Sequence, residues 1–281
     1  MSMYLNHQES NRLITELISK DKPFYIARLG LGYETHLSFI HANQLHNGSF
    51  PPQWIDLLHI QAGIYGRNIF DYCETYNLSL QNADYLACFD DCPRMFHKQD
   101  YYCVKNKLTP LHFKCLEPFY ALKEGMVPWT MSLKGKKVLI INPFVNSIKR
   151  QNESNFQIFK DTSLFDKNQE FVYYKPFNAT CLERPHNNWL DTLNQMKSDI
   201  CKLDYDIALV SCGGYGLPLC SFIKSTGKSC IYVGGGLQMM FGVMGARWEN
   251  NPLFKDNSNY IRPSEDETPK NKDLVEGGCY Y

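Results

Sequence analysis

The chain reads as an α/β protein: a Rossmann-like parallel sheet flanked by helices. Three observations predict this. Short apolar runs alternate with longer amphipathic stretches, and the connections between them are short, as in parallel sheets with helical crossovers. Two of the runs pass directly into glycine clusters that open helix-like segments: Ile207 to Val210 leads to Cys212-Gly213-Gly214-Tyr215-Gly216, and Cys230 to Val233 leads to Gly234-Gly235-Gly236. Such corners form the carboxyl edge of a parallel sheet, where α/β folds bind ligands. Backbone N–H groups exposed at a helix start suit phosphate or another anion, so a small, nucleotide-bearing ligand is expected.

The elements follow in order. Residues 10–20 place Leu13, Ile14, Leu17 and Ile18 on one helical face, and Pro23 ends that helix before a short strand over 24–27. Arg28-Leu29-Gly30-Leu31-Gly32-Tyr33-Glu34 is a glycine turn opening a helix that runs to about His46. Pro51-Pro52 breaks the chain, and 53–76 reads as one long helix. A buried-type strand covers 83–89. Residues 93–109 are aromatic-rich and irregular, and 111–124 reads as a helix broken near Pro118. The second half gives strands at 136–142, 170–174, 206–211 and 229–233. Its helices are expected at 186–203, 216–226 and 237–246, with a polar helix or loop at 146–161. The polar tail from Asn250 to Tyr281 is expected to wrap the surface. No linker separates the halves 1–130 and 131–281, so a single body over 1–281 is expected.

Composition narrows the function. The 281 residues carry 29 basic and 29 acidic side chains, a formal net charge of zero. No basic stripe argues for nucleic acid, and no polybasic run for an anionic membrane. The start lacks the blocks of a signal peptide, and no apolar run approaches the ~20 residues that span a bilayer. The 11 cysteines are scattered, as expected of reduced, mostly buried thiols in the cytoplasm.

The glycine corners also exclude. Gly213-Gly214-Tyr215-Gly216 is not a G-x-G-x-x-G fingerprint, and the next strand ends in Val233-Gly234 rather than an acid, which argues against NAD. Walker A, G-x-S-x-G and H-E-x-x-H patterns are missing. Arg28 at a strand end suits bidentate phosphate pairing; an ion pair explains it equally well. Glu34, in the first helical turn, suits a metal, a sugar hydroxyl or proton transfer, with favourable dipole contact as the alternative. Asn142, Ser147, Lys149 and Gln151 follow the strand at 136–142 and could read a diphosphate or ribose, or form an ordinary Asn-Pro turn and a solvated helix. Asp90-Asp91 follows another strand and offers oxygen ligands for Mg²⁺ or Mn²⁺, as a solvated loop also would. Gln238 and Arg247 flank the last helix. Tyr101, Tyr102, Trp129 and Phe144 could stack on sugars; core packing accounts for such rings equally.

These segments carry a resemblance. RLGLGYE at 28–34 resembles the R-x-G-x-G-E segment of the GT-D-fold glycosyltransferases. The stretches 133–151, 204–219, 227–248 and the final VEGGCYY are similar to a GT-D-like branch found in polysaccharide biosynthesis. The resemblance implies transfer of a sugar from a nucleotide-sugar donor, UDP-linked, to a glycan acceptor. It implies catalytic roles for Glu34 and Arg28, and donor contacts from Gly30, Gly32, Asn142, Gly213, Gly214, Tyr215, Gly216, Gly234, Gly235, Gly236, Gln238 and Arg247. Characterised GT-D enzymes hold a divalent metal with D-x-E. Here the acid matches Glu34, but the Asp position is Leu31 or Gly32, so Asp90 and Asp91 become the candidates for the missing oxygen on Mn²⁺ or Mg²⁺. The rival readings are a nucleotide- or sugar-binding protein without turnover and, more remotely, a Rossmann-type methyltransferase.

Overall fold

In the computed structural model, which describes residues 4–159, 162–255 and 259–281, the apolar runs become seven strands of one parallel sheet. They are β1 (Tyr25–Arg28), β2 (Tyr85–Cys88), β3 (Thr109–His112), β4 (Lys137–Ile141), β5 (Glu170–Tyr174), β6 (Ile207–Val210) and β7 (Ser229–Tyr232). Their order is β3-β2-β1-β7-β6-β4-β5, and every pairing is parallel. The two halves of the chain therefore share one sheet, joined where Tyr25 and Ile26 of β1 register with Cys230 and Ile231 of β7.

The central strands are covered on both faces, which is why they read as unbroken apolar runs rather than alternating ones. Alternate residues still choose sides. Leu139, Ile141, Ala208 and Val210 enter one core with helices α2 (Tyr33–Ala42), α3 (Pro52–Ala62), α4 (Ile69–Gln81), α5 (Pro93–Asn106), α8 (Trp189–Ile200) and α9 (Gly216–Ser225). Val138, Ile140, Ile207 and Leu209 enter the other, with α1 (His7–Ser19), α6 (Phe119–Lys123), α7 (Val145–Glu153) and α10 (Gly236–Met240). Across the sheet order β1-β7-β6-β4, the outgoing chain goes alternately to the first face, the second, the first and the second. Each such reversal leaves a crevice at the carboxyl ends.

Several expectations are corrected. The single helix over 53–76 is two, because Gly63 and Gly66 both take left-handed backbone between α3 and α4. The irregular stretch 93–109 is mostly helix α5. Pro93 stands in its first turn, Met95, Gln99, Tyr102 and Cys103 share its buried face, and Gln99 bonds the backbone N–H and C=O of Phe89 at 2.7 and 3.1 Å. The start of 111–124 belongs to edge strand β3, where Pro110 is tolerated because an edge can spare a donor. The last helix stops at Met240, since Gly242 is left-handed. Among the described residues, no helix is long and apolar enough to cross a membrane.

Candidate functional site

A cleft of about 1190 Å³, counted to its open mouth, lies over the carboxyl ends of β1, β7, β6 and β4 and the loop after β5. Its floor begins with Arg28, the last residue of β1. The guanidinium carbon sits 5.3 Å from the centre of the Phe113 ring and 5.7 Å from that of Tyr232. Nη1 donates to the Val233 carbonyl at 3.3 Å, while Nε is buried without a hydrogen-bond partner. Among the described residues, no carboxylate comes to ion-pair distance of Arg28. Gly234 makes this placement possible: its φ is +77°, and a β-carbon there would fall 1.6 Å from Nη1.

Glu34 lies beside it in the first turn of α2, and its carboxylate curls back over the turn. A β-carbon on Gly30 would meet Oε1 at 1.6 Å, and one on Gly32 would meet Oε2 at 2.6 Å. The two glycines thus make room for this carboxylate. Burial pushes the Glu34 carboxyl above the usual range, while its own backbone N–H, the Arg28 charge and the Gly32 N–H pull part of the way back. Thr35 braces the turn, donating to the Gly30 carbonyl at 2.7 Å and meeting the Tyr76 hydroxyl at 2.6 Å.

The opposite wall comes from the tail, which does not simply wrap the surface. Val275, Glu276, Tyr280 and Tyr281 all line the cleft. The Arg247 N–H donates to the Cys279 carbonyl, that of Ala246 to Tyr281 and the Gln238 side chain to Tyr280, each at 3.0 Å. Arg247 forms an ion pair with Glu276, and its guanidinium stands 4.6 Å from the centre of the Tyr280 ring.

Of the residues singled out in the sequence, the structure brings Arg28, Gly30, Gly32, Glu34, Gly213, Tyr215, Gly234, Gly235, Gln238 and Arg247 to the cleft. Some are there as supports. Tyr215 donates its hydroxyl to the Gly63 carbonyl at 2.7 Å, Gln238 is buried on backbone carbonyls, and the Gly234 N–H is spent on Val210.

Asn142, Gly214, Gly216 and Gly236 are not part of the lining. Asn142 is 1% exposed, and its Oδ1 caps the Phe144 N–H at 2.8 Å. Gly214 abuts the Ala62 carbonyl, Gly216 lies under the Tyr232 ring and Gly236 under the Glu117 carboxylate. Ser147 bonds Glu267, Gln151 bonds the Gly242 and Asn259 carbonyls, and Lys149 pairs with Glu153, all away from the cleft. Tyr102 and Trp129 are core; Phe144 lines the cleft, its ring edge-on to Tyr281.

Asp90 and Asp91 do not join Glu34. Asp90 pairs with His112 at 3.0 Å, and neither acid lines the cleft. Among the described residues, no group of three or more His, Cys, Asp or Glu side chains could hold a metal ion. The carboxylates that do face the cleft stand against cations, Glu34 near Arg28 and Glu276 on Arg247. That donor set does not fit a protein-held divalent ion.

Two contributors were missed in the sequence, Phe113 and Glu117. Both belong to the short 3-10 turn after β3, Phe113 at its start and Glu117 capping its end. Burial pushes the Glu117 carboxyl up to about 7, against the opposing pull of Arg28 and Arg247. No local motif marks either residue; the signal is a Phe and a Glu four apart just beyond an edge strand.

No family model matches the chain, and no curated protein matches it. Among solved structures, the chain is similar to one titled a selenomethionine-substituted structure of domain of unknown function 1792, DUF1792. The TM-score is 0.49 at 12% identity, over 95% of this chain and 89% of that one.

Proposed function

We propose that this chain is a glycosyltransferase that moves a sugar from a nucleotide-sugar donor, UDP-linked, to a glycan acceptor. The observation that carries this reading is Arg28: a cation with no ion-pair partner among the described residues, at the floor of a carboxyl-edge cleft, gripped by two rings and a glycine, with a half-buried carboxyl beside it. Glycosyl transfer releases a nucleoside diphosphate, so the main electrostatic task is to offset charge growing on the leaving oxygens. Arg28 meets that need from a fixed position, with no reorganisation when charge appears. Glu34 is the base for the acceptor hydroxyl; a carboxyl raised toward neutral pH is better matched to proton transfer than an ordinary one. No step is assigned to a metal.

The test has two stages. Thermal shifts are measured with UDP-, GDP-, CMP- and dTDP-sugars, with and without Mn²⁺, and with S-adenosylmethionine and NAD. A ligand at roughly 100 times its Kd adds about 2.7 kcal/mol, a visible shift. Transfer from the stabilising donor is then compared in the parent and Glu34→Ala. We expect a UDP-sugar to stabilise the protein, and Glu34→Ala to lower transfer by roughly 10²–10⁴-fold with donor binding retained. Binding without turnover points to the non-catalytic reading, and a response to S-adenosylmethionine alone to the methyltransferase.

A further inference from the structure

Glu117 has no role in the scheme above, yet the fold gives it a particular place. Its carboxylate lies on the glycine turn after β7: a β-carbon on Gly236 would meet Oε1 at 2.3 Å. The same turn carries Arg28 two residues earlier, against Gly234. The 3-10 turn that delivers Glu117 also delivers Phe113 to the face of the Arg28 guanidinium. Glu117 is thus built into the support of the arginine without lining the cleft.

Both cleft arginines, Arg28 and Arg247, pull against the burial that raises its carboxyl, though neither closes to an ion pair with it. We infer that Glu117 is a positioning residue for these two arginines, and that its charge sets how tightly the cleft holds a diphosphate. Ionised, it cancels part of the positive field the arginines present; neutral, it leaves that field to the ligand. The field of a half-buried charge reaches further than in bulk water because protein and rings displace screening water. Its carboxyl, raised to about 7, titrates in the range where this matters. The groups facing it are Arg28 from β1, Arg247 from the 246–248 turn and Tyr120 from α6, whose hydroxyl is pushed up by burial and then by this carboxylate; Glu34 also interacts with Arg28. The inference rests on the donor-binding reading of the cleft.

The experiment measures the Kd of UDP-glucose by calorimetry from about pH 6 to about pH 8 in the parent, Glu117→Gln and Glu117→Asp. A diphosphate diester keeps its charge over this range, so the protein supplies the pH dependence. We expect parent affinity to fall roughly three- to tenfold as pH rises. Glu117→Gln should bind at the tight, low-pH level throughout, and Glu117→Asp should restore a slope. A slope unchanged in Glu117→Gln overturns this inference alone. No binding of UDP-glucose or any other nucleotide-sugar by the parent removes the inference together with the donor reading. If Glu117→Gln proves unstable, the Glu117→Asp slope decides: a flat profile there with intact binding also overturns it.

Discussion

Gly234 and Arg28 occupy the same space from two ends of the chain. The arginine can lie across the turn only because the glycine lacks a β-carbon and accepts a φ of +77°. Gly234→Ala should therefore cost about 1–2 kcal/mol for the left-handed backbone alone, and more for the displaced guanidinium. Urea unfolding of Gly234→Ala, Arg28→Ala and the pair gives the coupling. We expect the double variant to be more stable than the sum of the single losses predicts, because removing the arginine frees the site for the methyl group. Additive losses would show that the backbone strain, not the arginine, governs the position. Arg28 and Glu34 were legible in the sequence because a charged residue at each side of a glycine turn is a local pattern. Glu117 was not, because what defines it is a contact across the sheet rather than a neighbour in the chain.

Elements were legible where one period dominated. The strands at 137–141, 207–210 and 229–232 announced themselves as apolar runs between turns, and helix α8 by its apolar stripe. Elements whose signals conflict were misread: β3 carries a proline, α5 a polar and aromatic surface, and the α3–α4 pair two glycines that an apolar stripe disguised. Helix α8 also has a clean start. The Asn188 side chain accepts from the N–H groups of Leu190 and Asp191 at 2.9 and 3.1 Å. Asn188→Ala should lower stability by about 1 kcal/mol, and Asn188→Asp should recover most of it, read from thermal or urea midpoints. Equal losses in both would mean that the Asn188 amide, which also donates to Asp191 at 2.8 Å, matters more than the cap.

For the molecule as a whole, the two raised carboxyls, Glu34 and Glu117, tie folding to pH. An acid raised in the folded state binds a proton more readily there than in the unfolded chain. Its contribution is therefore fully present below the unfolded value and lost as pH rises through the folded one. Glu117, about 7 when folded, should make the ligand-free protein more stable at about pH 6 than at about pH 8 by on the order of 1 kcal/mol, and Glu117→Gln should remove that part. Denaturation series at the two pH values test it; stability that rises with pH by the same amount in parent and variant would exclude the assignment. The same exchange of volume between distant positions has a consequence for descent. Gly234 with Arg28, Gly236 with Glu117, and Gly30 and Gly32 with Glu34 each join a large residue to the absence of one. A lineage can enlarge one of these glycines only if its counterpart moves or shrinks, so related sequences with a larger residue there should carry a changed partner, and the matched positions would trace the cleft together with its support.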